Sequence, residues 1–259
     1  MLLSVDIGNT NITLGIFDKD TLVKTFRLAS DRDLSQSEYE LLLNTLCKDF
    51  EIEHCVIGSV VEELNLVIKK ACDNIFELDS FLLKYGINYG MNIALKNPKE
   101  VGADRIANAY GAKLKYSLPA IVVDIGTATT FDIVSKNGEF LGGVIMPGLN
   151  LQFKSLNANT SKLPRIEAGL SEKAIGDSTE NALLSGIMRG SASAIEGLIH
   201  QCELELGEKA TIIATGGQSR LLSEYMFRSF DYIDPHLTLE GLKMLYELNR
   251  VKTAKQVKI

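Results

Sequence analysis

Two short runs of this chain hold the residue types that phosphate chemistry requires. Asp6-Ile7-Gly8-Asn9-Thr10 and Asp124-Ile125-Gly126-Thr127 each set a carboxylate two residues before a glycine, with short amide or hydroxyl side chains behind it. Gly8 and Gly126 let backbone N–H groups approach phosphate oxygens without a Cβ in the way. Asn9, Thr10, Thr127, Thr129 and Thr130 add compact donors. A carboxylate beside a polyphosphate repels it unless a cation stands between them, so Asp6 and Asp124 point to metal ions rather than direct contact. No lysine or arginine occurs between Asp6 and Asp18, and the phosphate charge is therefore expected to be offset chiefly by Mg²⁺ and amide dipoles. One such loop alone reads equally well as a hairpin whose aspartate caps the turn; two copies favour a paired phosphate cradle.

A third signal, Gly216-Gly217, follows the apolar run 211–214 and Thr215. Paired glycines at a strand end serve a loop that needs positive φ. As partners of the two acidic loops they also suit a flat adenosine lying on bare backbone. The motifs G-x-x-x-x-G-K-[ST] and G-x-G-x-x-G are absent, as is the protein-kinase set.

The elements that position these loops repeat. Val5-Asp6-Ile7-Gly8 and Val123-Asp124-Ile125-Gly126 are offset by 118 residues (123 − 5), and each is preceded by apolar residues. A second β-rich run follows in each copy, 12–17 and 130–134, then a turn, then a third run, 22–28 and 140–145. The second turn contains Asn137-Gly138, a strong hairpin signal. Shared element order makes duplication the better reading of the match. Helical and strand patterns then alternate, as they do where helices pack on a mixed sheet. The first copy predicts helices over 35–48, with Ser35 as cap, and 62–72, strands over 54–58 and 74–78, and a linking helix over 104–115. The second predicts a long helix over 178–203, a buried strand over 211–214 and a closing helix over 239–249. The long helix is rich in small residues, which serve either tight core packing or a subunit interface.

With 259 residues and a formal net charge of −6 the chain is long enough for two ordinary domains and mildly acidic. That balance argues against nucleic-acid binding, which needs clustered lysine and arginine. Cys47, Cys55, Cys72 and Cys202 include no C-x-x-C pair, and the three histidines form no ligand pair at helical spacing. No run approaches the length of a membrane span, and no export signal is read, so a cytoplasmic protein is expected.

The triple pattern D-I-G-N-T, D-I-G-T and T-G-G resembles the phosphate and adenosine motifs of the superfamily that includes acetate kinase, sugar kinases and actin. Within it, Asn97-Pro98-Lys99-Glu100-Val101-Gly102-Ala103-Asp104-Arg105 is similar to the pantothenate motif of type III pantothenate kinases. The resemblance implies an α/β fold of two duplicated actin-like, ribonuclease H-like domains, 1–117 and 118–259, with mixed sheets flanked by helices and a cleft between them. It implies an ATP-dependent kinase acting on the primary hydroxyl of pantothenate. ATP is expected at Asp6, Ile7, Gly8, Asn9, Thr10, Asn11, Ile12, Thr13, Thr127, Gly216 and Gly217, with Asp6 on the Mg²⁺ side through the phosphates.

Asp124 is expected to help bind a monovalent cation, K⁺ or NH₄⁺. Gly102 and Ala103 leave room for substrate. Asp104 is the expected catalytic base, the alternative being a cap on the helix it opens. Arg105 is expected on the pantothenate carboxylate rather than in a surface ion pair. The resemblance also implies a homodimer whose substrate pocket lies near the subunit interface, with Thr179 donating a hydrogen bond to pantothenate there; the other reading of Thr179 is the start of the long helix. Many relatives carry an aromatic where this chain has Leu95, which puts one wall of the pantothenate pocket in question. A sugar or acid kinase of the same superfamily, and a nucleotide-binding regulatory protein of the same fold, are the competing readings.

Overall fold

The computed structural model describes residues 1–256. Each acidic run lies at the first turn of an antiparallel meander. In the first copy β1 (Leu2–Ile7) pairs with β2 (Asn11–Asp18) and β2 with β3 (Thr21–Ala29). The chain then passes through α1 (Gln36–Cys47) to β4 (His54–Ser59), parallel to β1. It continues through α2 (Glu62–Phe76) to β5 (Phe81–Leu82), parallel to β4. α3 (Ala103–Lys115) follows. The second copy runs β6 (Ala120–Ile125), β7 (Ala128–Val134), β8 (Phe140–Pro147), α4 (Leu149–Ala158), α5 (Thr179–Leu206), β9 (Thr211–Thr215), α6 (Ser219–Ser223) and β10 (Tyr232–Ile233). α7 (Leu237–Gln256) comes last.

The two sheets have one topology. Their orders are β3-β2-β1-β4-β5 and β10-β9-β6-β7-β8, which coincide when the second is read from its β8 edge. Both meanders carry a register shift at the matching place, after Ile16 in β2 and after Ile133 in β7. A bulge is a local irregularity with its own twist, so its repetition supports duplication more strongly than a shared tetrapeptide does. The fold is α/β with two mixed five-stranded sheets flanked by helices, each half actin-like.

Alternation along the strands explains the layers. Leu3, Val5 and Ile7 of β1 join Tyr39 and Leu43 of α1 and Leu64 and Ile68 of α2 in one core cluster. Leu2, Phe17 and Val56 on the opposite face join Ile106 and Tyr110 of α3 and Leu239, Leu242 and Leu245 of α7. The second sheet packs Ile121, Val123 and Ile125 against Leu149 and Phe153 of α4 and Met188 and Ile195 of α5. The expected cap on α1 is present as a full capping box between Ser35 and Glu38.

Compact units differ from the expected halves in two places. One unit comprises, of the described residues, 1–92, 96–114 and 237–256; the other comprises Ile93–Leu95 and Lys115–His236. α7 therefore belongs with the first sheet, where Gly58 leaves room for it: a Cβ there would stand 2.4 Å from Leu242. Helical periodicity reveals an apolar stripe but not which sheet receives it. Ile93–Leu95 sits with the second sheet, the Ala94 N–H donating to the Phe140 carbonyl at 2.8 Å. The strand expected over 74–78 is corrected too, because α2 runs on through Phe76 and ends at Glu77, whose φ is +51°. Ile75 and Phe76 pack on the α1/α2 cluster as helical residues, a use that a short alternating pattern does not distinguish from a strand.

Cys47, Cys55 and Cys72, far apart in sequence, share that same cluster as free thiols. Burial pushes the Cys47 thiol up to about 11, so it behaves as an inert apolar residue. Among the described residues no helix is long and apolar enough to cross a membrane.

Candidate active site

Alternation on β1 turns Asp6 toward the α3/α7 side, with Leu2 and Ser4; the Ser4 hydroxyl donates to the Leu239 carbonyl at 3.0 Å. Asp6 stands opposite Thr13 on β2 and Gly58 on β4. The loop that follows is held closed by the Gly8 N–H donating to the Asn11 carbonyl at 3.0 Å. Ser30 braces it from the end of β3, giving its N–H to Thr10 at 3.0 Å and its hydroxyl to the Gly8 carbonyl at 2.5 Å.

A cation also reaches this loop, contrary to the expectation drawn from the run 6–18 alone. Arg32 Nη2 donates to Asn9 Oδ1 at 3.3 Å. Its backbone is anchored next door: the fully buried Tyr39 donates its hydroxyl to the Asp31 carbonyl at 2.7 Å and accepts from the Asp31 N–H at 3.1 Å. The sequence signal for Arg32 was weak, because the residue lies beyond a whole hairpin from the loop it touches.

The pantothenate-type motif ends at the first turn of α3. Val60, just past β4, gives its N–H to the Ile7 carbonyl at 3.0 Å, and a Cβ on Gly102 would stand 3.1 Å from Val60 Cγ1 and 2.5 Å from Asp104 Oδ1. The start of α3 thus lies at the carboxyl ends of β1 and β4, on the end of the sheet that carries Asp6. Gly102, Asp104 and Arg105 are half-buried and Ala103 is buried. Asp104 Oδ1 accepts from the Arg105 N–H at 2.7 Å. Burial raises the Asp104 carboxyl above the usual aspartate range, opposed by that hydrogen bond and by the Arg105 charge. A side chain that satisfies a first-turn N–H while remaining more basic than usual combines the two roles the sequence left open.

The second unit holds the other motifs. Ile121, Val123 and Ile125 face the α4/α5 core, which puts Asp124 on the opposite face, with Thr130 on β7 and Thr215 on β9 beside it. Thr130 is thus to Asp124 what Thr13 is to Asp6. Thr129 is corrected as a donor: it pairs with Ile125, shares a face with Phe131 and is buried. This loop is one residue shorter than the first, since Gly126 gives its N–H to Ala128 at 3.0 Å, not to the third residue on. The Gly148 N–H donates to the Thr127 carbonyl at 3.1 Å.

The late glycine pair meets this loop. Gly216 has φ +85°, and a Cβ there would fall 2.5 Å from Asp124 Oδ1 and 2.6 Å from the Ile125 carbonyl oxygen. Only glycine fits both the conformation and the approach. Gly217 is exposed, and Gln218 after it gives its N–H to the Ile125 carbonyl at 3.4 Å and its Nε2 to Asn150 Oδ1 at 3.0 Å. Gln218 and Asn150 carried no motif signal; contact with the loop is what marks them. Thr179 is exposed at the first position of α5, behind Ser178, whose hydroxyl accepts from the Asn181 N–H at 3.1 Å. Leu95 packs on Gly142, whose absent Cβ would lie 2.9 Å from Leu95 Cδ2.

Among the described residues no three His, Cys, Asp or Glu side chains gather as a metal site. The lone carboxylate of Asp6 fits a magnesium ion that keeps its waters and is held mainly by phosphates. Asp124 Oδ1 and the Ile125 carbonyl, both against Gly216, are oxygen donors of the kind a hard cation takes.

A family model described as type III pantothenate kinase matches residues 2–201. A type III pantothenate kinase of Exiguobacterium sibiricum is 41% identical, the match covering 96% of this chain and 100% of the relative. One of Moorella thermoacetica is 42% identical, with the same two coverages. Among solved structures, the activator of 2-hydroxyisocaproyl-CoA dehydratase from Clostridium difficile shares the fold at a TM-score of 0.56 and 14% identity, covering 100% of this chain and 98% of that one.

Proposed function

The chain belongs to the type III pantothenate kinase family, and from that premise we propose how its residues divide the work of an ATP-dependent pantothenate kinase. The reaction moves the γ-phosphate of ATP onto the primary hydroxyl of pantothenate, giving 4'-phosphopantothenate, the first step of coenzyme A biosynthesis. An alcohol is a poor nucleophile at neutral pH. Asp104 is the base that takes its proton as the oxygen attacks, and the observation that carries this is the half-buried Asp104 carboxylate at the sheet end where Asp6 and its loop lie.

Arg105 faces the pantothenate carboxylate with its planar guanidinium, and Gly102 and Ala103 leave the substrate space. The run Asp6 to Thr13 holds ATP phosphates through backbone N–H groups and short side chains, helped by Arg32. Thr127, Gly216 and Gly217 take the rest of the nucleotide. A divalent metal, when bound with ATP, neutralises charge developing on the transferred phosphoryl group. Asp6 would help hold that ion and Asp124 would contribute to a monovalent-cation site.

A homodimer is part of the proposal. On the outer face of α5, Ala182, Gly186, Gly190, Ser193 and Gly197 are exposed, and among the described residues nothing beyond the helix's own adjacent backbone lies within 4 Å of where a Cβ on any of the three glycines would be. Glycine costs a helix up to about 1 kcal/mol relative to alanine, so open glycines on one face favour close approach of a second helix. Thr179 begins this helix and is proposed to reach pantothenate at that interface, in a cytoplasmic enzyme.

The test is a coupled ADP-release assay across pantothenate, hexoses and acetate, with and without K⁺. Turnover is expected with pantothenate alone and only with K⁺ or NH₄⁺ present. Turnover with a hexose or acetate and not pantothenate overturns the substrate; K⁺-independent turnover overturns the Asp124 assignment.

A further inference from the structure

Tyr39, in the first turn of α1, is among the largest fully buried side chains of the molecule and packs in the core of the first sheet. Phenylalanine would fill that space with no polar atom to satisfy, and a buried hydroxyl left without a partner is costly. Both hydrogen bonds of this hydroxyl go to one residue outside the core: it donates to the Asp31 carbonyl at 2.7 Å and accepts from the Asp31 N–H at 3.1 Å. Asp31 Oδ1 in turn accepts from the Asp33 N–H at 3.0 Å. Arg32 lies between these two anchored residues, on a stretch that is neither helix nor strand. The Ser35–Glu38 capping box fixes the same end of α1, so the clamp stands on a rigid element. Burial raises the Tyr39 hydroxyl above its ordinary value, which keeps it protonated and donating at neutral pH.

We propose that Tyr39 is a positioning residue for the phosphate donor: its hydroxyl holds the Asp31 backbone so that the Arg32 guanidinium stands at the loop Gly8–Thr10 and meets the ATP phosphates there. The inference rests on the kinase reading above. An exposed arginine spreads its charge over many rotamers, and anchoring the backbone on both sides of it narrows the space its head group samples before the nucleotide arrives. Arg32 Nη2 already reaches Asn9 Oδ1 at 3.3 Å. Ser30, on the other side of Asp31, ties the same loop through the Gly8 and Thr10 carbonyls. No lysine or arginine occurs between Asp6 and Asp18, so the placement of this neighbouring cation bears directly on how well the loop holds a polyanion. A core aromatic thus sets nucleotide affinity without touching the nucleotide.

The test compares full-length wild type, Tyr39→Phe, Arg32→Ala and the double variant, with ATP as the probe. Tyr39→Phe is expected to raise the ATP KM, and the ATP Kd read by calorimetry without pantothenate, by about threefold or more, while kcat and the pantothenate KM stay within about twofold. A general loosening of the core would move all of these together. Because Tyr39 acts through Arg32, the double variant is expected to stay within about 1.5-fold of Arg32→Ala alone rather than reach the product of the two single effects. Hydrogen exchange on the wild type reads the clamp without any substitution: the Asp31 amide is expected to exchange about tenfold or more slowly than in an unfolded chain. An unchanged ATP KM and Kd in Tyr39→Phe, a double variant that multiplies the single effects, or an unprotected Asp31 amide each overturns the positioning role. A wild type that binds ATP, weakens in both single variants with no further loss in the double, and leaves pantothenate unphosphorylated supports the role and sinks the kinase reading instead.

Discussion

Asp104 accepts a 2.7 Å hydrogen bond from the backbone N–H of Arg105, its own neighbour in the first turn of α3. Asn keeps that acceptor and loses the base. Asp104→Asn is expected to lower kcat by about 10²- to 10⁴-fold, with ATP binding retained in calorimetry. In the wild type, kcat/KM should rise through the raised carboxyl and level off above it, since only the ionised form accepts the proton. That acid limb should vanish from the residual activity of the variant. A carboxyl raised on folding contributes stability below its unfolded value and loses it as pH rises through the folded one. At pH 7 the ionised group is thus a burden, and the Asn variant should melt no lower than wild type.

Arg32 reaches Asn9 across the β2–β3 hairpin, in a position set by the Tyr39 clamp on Asp31. Arg32→Ala is expected to raise the ATP KM about three- to tenfold, with kcat changed less than twofold, because the charge serves bound phosphate equally in ground and transition states. A tenfold fall in kcat at an unchanged ATP KM would contradict that role.

Gly190 lies mid-way along the exposed small-residue face of α5. Gly190→Leu adds bulk where the single chain has open space, so the monomer fold is expected to persist by circular dichroism. Light scattering is expected to show half the wild-type mass. An unchanged dimer mass would place the interface elsewhere.

Glu203, only 4% exposed near the end of α5, accepts from Arg228 Nη1 and Nη2 at 2.8 and 2.9 Å and from Lys209 at 2.8 Å. The Arg228 hydrogen bonds, ahead of those from Lys209 and the Ala210 N–H, hold its carboxyl down at about 2 despite burial. A carboxyl depressed on folding adds stability above its unfolded value near 4.5, and that contribution is lost as pH falls from there through about 2. The linkage is worth about 3 kcal/mol at neutral pH. Glu203→Gln should therefore lower stability by about that amount at pH 7 in urea titrations, and the difference from wild type should shrink steadily below pH 4.5. A gap that stays constant from pH 7 to pH 3 would show that the carboxylate charge is not its source.

Much of the architecture was legible along the chain, because duplication, strand alternation and caps are local. The V-D-I-G match, the Ser35 capping box and the Asn137-Gly138 turn each depend on residues only a few positions apart, and backbone stereochemistry translates them directly. The strand expected over 74–78 failed for the same reason in reverse: five residues of mixed polarity fit the last turn of a helix as well as a strand.

What only the tertiary structure decided are the meetings between distant segments. The chain's own pattern marks α7 as helical, yet its place on the first sheet depends on the space at Gly58. The acidic loop and the late glycines are both visible as motifs, but the contact of Gly216 with Asp124 comes from β6 and β9 being parallel neighbours. Arg32, Gln218 and Asn150 bear no motif at all. Side-chain type follows from sequence, whereas proximity follows from register and packing, which no local pattern encodes for residues separated by a whole hairpin or domain.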